Sequence, residues 1–155
     1  MQNLITDRKK SDVDRWRQLH DKGWEGMSAE EKAEWLGGMK GSYNASDLNR
    51  VGYAMSCLAA AYRSYGYSLA VASRTDWSRT ELPKRADMEV YLSDLRTLRD
   101  ALPMLTGTPE TPGSMNKLTY EEANDIERIL QAVEATLNRM AASWFYAGEI
   151  YSGEV

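Results

Sequence analysis

Apolar residues recur every three or four positions along most of the chain, the spacing of helices with one buried face. The first such stretch covers residues 11–24, where Ser11 is placed to cap the start and Val13, Trp16 and Leu19 fall near one face. Gly23 and Gly26 interrupt it. Ser28-Ala-Glu-Glu then reads as a capping box, in which the Ser28 hydroxyl accepts the Glu31 amide and Glu31 reaches back. It opens a second short helix, anchored by Trp35 and Leu36 and ended by Gly37-Gly38. A long third helix is predicted from Asn44 or Ser46 to about Tyr65. Its stripe is Leu48, Val51, Met55, Leu58, Ala59 and Tyr62, and Gly66 stops it.

The pattern then changes. Leu69, Val71 and Ser73 alternate with Ala70 and Ala72, predicting a short strand or extended segment over 67–73. Its partner is left open among Asn3-Leu-Ile-Thr, the C-terminal tail and another chain. After Pro83 a fourth helix is predicted over 85–102, with Met88, Tyr91, Leu92, Leu95, Leu98 and Leu102 on one side. Residues 106–116 read as an exposed loop. Thr119-Tyr-Glu-Glu is a second capping box and launches the longest helix, over 120–146, along Ala123, Ile126, Ile129, Leu130, Val133, Leu137, Met140 and Trp144. Glu121 and Glu122 sit in its first turn, where the helix dipole favours them. Gly148 ends it, and residues 147–155 are expected as an extended tail. Together these elements predict a mostly α, single helical domain over 1–155: an antiparallel bundle of three long and two short helices with one or two short strands or extended termini.

Composition narrows the function more than the fold. At 155 residues, with 27% charged and 43% hydrophobic, the chain is suited to one buried core. Its net charge of −4 is uneven: residues 1–80 carry 12 basic and 10 acidic residues, and residues 81–155 carry 7 and 13. Neither half has the basic stripe that phosphate binding needs, so no nucleic-acid partner is expected. No apolar run approaches the ~20 residues of a membrane span, so no membrane insertion is expected either. The first ten residues place their charges after the apolar Leu4-Ile5 pair and lack a signal-peptide core, an expectation of cytosolic synthesis without export.

Candidate chemistry is sparse. His20 is the one histidine and has no sequence neighbour suited to make it a general base, so a surface or helix-end position is expected. Cys57 lies among Met55, Leu58, Ala59 and Ala60 and reads as a packing residue. No further His or Cys ligands stand at metal-site spacing, and no calcium-loop motif appears. Acids such as Asp87, Glu89 and Asp94 alternate with Arg96 and Arg99 in the manner of a solvated helix face. Gly37-Gly38-Met-Lys-Gly41 lacks the phosphate-loop pattern and follows a helix. The expectation is a protein without catalytic centre, metal or cofactor. Aromatic composition points elsewhere: of the aromatic residues, 5 are Trp, 9 are Tyr and 1 is Phe. Trp and Tyr join a large apolar body to a polar handle, which suits contact surfaces. Trp16, Trp24 and Trp35 near the start, and Trp144, Phe145, Tyr146, Ile150 and Tyr151 near the end, are the candidate interaction residues.

Several strings are distinctive: Leu4-Ile-Thr-Asp-Arg, Asp12-Val-Asp-Arg, Met27-Ser-Ala-Glu-Glu-Lys-Ala-Glu-Trp-Leu, Met39-Lys-Gly-Ser-Tyr-Asn-Ala-Ser-Asp-Leu-Asn-Arg-Val, Leu118-Thr-Tyr-Glu-Glu-Ala-Asn-Asp-Ile-Glu and Ala147-Gly-Glu-Ile-Tyr-Ser-Gly-Glu. In these the chain resembles a family of small proteins encoded among the tail genes of phages and prophages of Gram-positive gut bacteria. The resemblance implies a tail-associated structural role in the virion, made in the host cytoplasm, with partners that are further copies of itself or other virion proteins. No functional residue is carried over with it. The alternative is a small phage-encoded inhibitor or adaptor that binds a host defence protein.

Overall fold

The computed structural model describes residues 3–148, with side chains described as far as Ser143. Its helices are α1 (Lys10–Gly26), α2 (Ala29–Gly37), α3 (Ala45–Ser64), α4 (Arg85–Asp100) and α5 (Tyr120–Gly148). Both capping boxes form. Glu31 N–H donates to Ser28 Oγ at 3.3 Å while Ser28 N–H donates to the Glu31 carboxylate at 2.8 Å. At α5 the same pair of bonds joins Thr119 and Glu122, at 3.1 and 2.8 Å. Asn44 caps α3, and Asp47 returns a bond to the Asn44 N–H at 2.9 Å. The start of α1 differs from the sequence expectation. Lys9 is the N-cap and donates its N–H to Asp12 at 2.8 Å, so Ser11 lies within the first turn. A carboxylate there gains from the helix dipole, which a neutral hydroxyl does not.

The predicted stripes pack as one core among α3, α4 and α5. Val51, Met55, Leu95, Leu98, Ile126, Ile129, Leu130 and Val133 are fully buried. Tyr62 joins them and donates its hydroxyl to the Leu98 carbonyl at 2.9 Å. A second, smaller cluster lies within the α1–α2 hairpin: Leu19, Met27 and Met39, with Trp16 and Trp35 packed against it. Leu36, expected beside Trp35 as an anchor, is instead 55% exposed. One step further along α2 turns it by about 100°, off the face that meets α1.

Antiparallel packing holds within that hairpin, where Arg15 pairs with Glu34 and Lys22 with Glu31. The three long helices run together in one direction. Tyr43 just before α3 borders one groove with Tyr120 at the start of α5, and Arg50, about one to two turns into α3, meets Glu127, about two turns into α5. Tyr43 also meets Tyr91 of α4, and the bond from Tyr62 to Leu98 joins the far ends of α3 and α4. The reason is the length of the connections: residues 65–84 and 101–119 are long enough to return along the bundle before the next helix begins. On its way back the first one donates Ala72 N–H and the Ser73 hydroxyl to Asp94, at 3.0 and 2.7 Å, and Trp77 N–H to Asn49 at 2.7 Å. It passes so close to α3 that a Cβ on Gly52 would lie 2.3 Å from the Arg74 carbonyl oxygen. Among the described residues no strand forms; the 67–73 segment is held by side chains of α3 and α4 instead of a ladder. Asp94 is therefore buried, not part of a solvated face.

The loop 106–116 is also held by α4. Arg96 donates to the Pro112 carbonyl at 3.1 Å and Arg99 to the Pro109 carbonyl at 3.0 Å. Pro112 is buried, while Gly113 and Ser114 are exposed.

Candidate interaction site

The three early tryptophans do come to one unit, the α1–α2 hairpin. Trp16 and Trp35 stack across it, with ring centroids 6.3 Å apart. Trp16 and His20, one turn apart on α1, stack at 5.0 Å. At the other end of the hairpin Gly23 takes φ 71° and ψ 159°, a conformation that interrupts the helix and re-aims its last turn. Beyond it Trp24 is 46% exposed and carries Lys32 Nζ over its ring at 5.2 Å. The hairpin thus sets aromatic faces along its seam, two half-buried and one open to solvent. His20 stands on this surface, 3.4 Å from Asp21 and exposed, away from the enclosed polar groups of the bundle. Cys57 is half-buried on α3. The side chains of Trp144, Phe145, Tyr146, Ile150 and Tyr151 lie outside the described residues.

The most concentrated chemistry lies where residues 3–9 meet the bundle. Arg8, Asp47, Asn124 and Glu127 are all buried there. Arg8 Nη2 donates to Asp47 at 2.8 Å and to Glu127 at 2.7 Å, and Arg8 Nη1 donates to the Ile5 carbonyl at 2.7 Å. Arg50 enters from α3 and donates to the same two carboxylates, at 2.5 and 2.7 Å. Glu127 also accepts the Ile5 N–H. The result is two guanidinium groups against two carboxylates, balanced in charge, with only Arg50 keeping partial access to water. Burial opposes the charge on Arg50, but its bonds to Glu127 and Asp47 outweigh that and hold its pKa above the ordinary value. Tyr43 and Tyr91 lie beside the cluster with their hydroxyls 2.5 Å apart, and burial pushes both phenols upward. Every carboxylate oxygen of Asp47 and Glu127 already accepts a bond from within the chain.

Sequence reasoning passed over this cluster, although a signal was present. Asp47 adjoins Leu48 on the buried stripe of α3, and Glu127 falls four residues from Ala123 and three from Leu130 on that of α5. An acid in phase with buried positions demands a buried partner, and Arg8 supplies it from 39 and 119 residues away.

Between the hairpin and the bundle runs a groove of about 590 Å³, bordered by Trp16, Arg17, Tyr43, Leu118 and Tyr120. A smaller cavity of about 150 Å³ lies between Trp16, Trp35, Met39 and Arg79. Arg79 closes its rim by donating to the Leu36 and Trp35 carbonyls. The connection from hairpin to bundle passes close to α1: a Cβ on Gly41 would lie 2.0 Å from the Asp12 carbonyl oxygen.

Among the described residues no helix is long and apolar enough to cross a membrane. Comparison with protein-family models, with curated proteins and with solved structures returns no match. The fold and the site therefore define an all-helical protein with a tryptophan-bearing hairpin latched to a three-helix bundle by buried charge.

Proposed function

We propose that the protein is a non-catalytic structural component acting through protein–protein contacts, in the tail-associated virion role that the resemblance implies. The observation that supports this best is the hairpin seam. Trp16 and Trp35 are half-buried and Trp24 is open, on a unit bridged by the Arg15–Glu34 and Lys22–Glu31 ion pairs. Tryptophan is among the residues that most often carry contact energy in interfaces. The buried charge cluster supports the reading from the other side, because its acids are committed to the fold.

The test is direct. Particles purified from a lysogen carrying the gene should contain the protein by mass spectrometry, and the Trp24→Ala and Trp16→Ala chains should be incorporated at a markedly lower level while keeping their helical signal. Absence of the wild-type chain from particles, with a host protein bound stoichiometrically instead, would give the inhibitor role the better claim.

A further inference from the structure

Residues 4–8 meet the bundle as an extended peptide meets a receptor. They are neither helix nor strand, yet α5 reads their main chain directly. Asn124 brackets Arg8, accepting its N–H at 2.9 Å and donating to its carbonyl at 3.0 Å. Glu127 takes the Ile5 N–H, and Arg128 donates to the Thr6 carbonyl at 3.1 Å. Leu4 packs on the large core, and the Arg8 side chain fills the space between Asp47 and Glu127. Without residues 4–8 this cradle would hold two carboxylates against Arg50 alone, leaving one uncompensated buried negative charge. Its shape suits a guanidinium. Arg8 reaches two carboxylates and two main-chain carbonyls at once, which a compact ammonium group on a flexible stem does not do.

The part of the chain that delivers this segment has a core of its own. Leu19, Met27 and Met39 form a cluster separate from that of α3, α4 and α5. The groove beside Trp16 and the cavity under Arg79 lie between the two units, and much of what joins them is polar: the Arg8 latch and the Arg79 bonds. Release of the N-terminal unit about the connection at 38–44 would break the Arg8 and Arg79 bonds and free Leu4 from the core, and every lost contact is available again on another copy.

We propose that the Asp47–Asn124–Glu127 cradle is a receptor for an extended arginine-bearing segment, filled here by residues 4–8 of its own chain and, in the assembled protein, by residues 4–8 of a second copy. This deepens the assembly reading and rests on it, since it names the contact through which copies join. The intramolecular arrangement is favoured by its high effective concentration; packing copies together in an assembly removes that advantage.

Exchange is read with full-length chains. In a Cys57→Ala background, one chain carries Thr6→Cys and a second carries Arg128→Cys; the two are mixed at high concentration and treated with a short bis-maleimide. Because Arg128 meets Thr6 across the latch, a covalent heterodimer is expected only where the segment of one chain lies on α5 of the other. Adding Arg8→Ala to the Thr6→Cys chain should reduce its yield roughly tenfold or more. A labelled peptide of residues 3–10, titrated onto the wild-type chain at concentrations high enough to displace the resident segment, should bind saturably, and its Arg8→Ala version at least roughly tenfold more weakly. That arm uses no protein variant, so misfolding does not enter it. Heterodimer yield indifferent to Arg8, or none at all, overturns the exchange; equal binding of the two peptides overturns the arginine receptor. Protein found in particles without any exchange sinks this inference and leaves the assembly reading standing. Exchange in a chain that particles exclude sinks the assembly reading alone.

Discussion

Asn124 and Arg8 are hydrogen-bonded to each other twice, the side-chain amide of Asn124 meeting both the main-chain N–H and the main-chain carbonyl of Arg8, and both residues are buried. The amide therefore does for an irregular segment what a strand neighbour does in a sheet. Asn124→Ala removes both bonds and leaves a donor and an acceptor of the Arg8 main chain without partners. Each such group costs about 1–3 kcal/mol, so a loss of about 2–4 kcal/mol is expected from urea unfolding. A loss below about 0.5 kcal/mol would show that water enters and replaces the amide.

The Arg8–Glu127 pair should behave as a buried ion pair. Arg8→Ala leaves Asp47 and Glu127 to share Arg50, and breaking a buried pair in this way costs about 3–5 kcal/mol. In a double-mutant cycle with Glu127→Gln, the two losses should fall well short of adding, because each change relieves the charge that the other strands. Molar salt should alter this coupling little, whereas the exposed Lys10–Asp14 pair is open to screening. Additive losses would mean that the two side chains contribute separately.

The helical stripes were legible in the sequence because burial repeats every 3.6 residues, and Leu48, Val51, Met55, Leu95, Ile126 and Val133 all follow that period. Capping was legible for a similar reason: Ser28–Glu31 and Thr119–Glu122 act within one turn. What joins the elements was not legible. Asp94 alternates with Arg96 and Arg99 as surface residues do, and only the returning Ala72–Ser73 segment makes it interior. The shared direction of the three long helices was hidden likewise, since it depends on where irregular connections run. Within the candidate site, the grouping of the early tryptophans was legible, whereas for the Arg8 latch only the phase of Asp47 and Glu127 with the buried stripes gave a sign, and their partner is distant in sequence.

Gly41 and Gly52 mark two points where backbones touch. Neither has the positive φ that favours glycine by conformation, so space alone is at issue. An alanine Cβ at Gly41 would fall 2.0 Å from the Asp12 carbonyl oxygen, and at Gly52 2.3 Å from that of Arg74. Main chain yields less readily than a side-chain tip, so each Gly→Ala change should destabilise by about 1–3 kcal/mol or more, despite the better helix propensity of alanine at Gly52. The two should differ in what moves. Gly41→Ala should loosen α1 and raise amide exchange in the hairpin, whereas Gly52→Ala should loosen residues 72–77. Exchange rates unchanged in both segments would show that the close approaches are not needed.

Buried tyrosines predict how the fold fails in alkali. Burial pushes the Tyr62 phenol from its ordinary value of 10 up to about 12, and it holds Tyr43 and Tyr91 above their ordinary value as well. The native state therefore keeps these protons after the unfolded chain has begun to lose them. With fewer protons bound to the unfolded state, stability must fall as pH rises. For Tyr62 the fall begins near 10, continues to about 12 and then levels, while stability below 10 is untouched by this group. Urea midpoints should be flat from about pH 8 to about pH 9.5 and drop beyond it, accompanied by late phenolate absorbance from the native protein. Tyr62→Phe should lower stability at neutral pH, through loss of the bond to Leu98, and flatten the alkaline fall. If every tyrosine of the native chain ionises with an ordinary midpoint, these hydroxyls are open to water and α3 packs against α4 more loosely than the Tyr62–Leu98 bond requires.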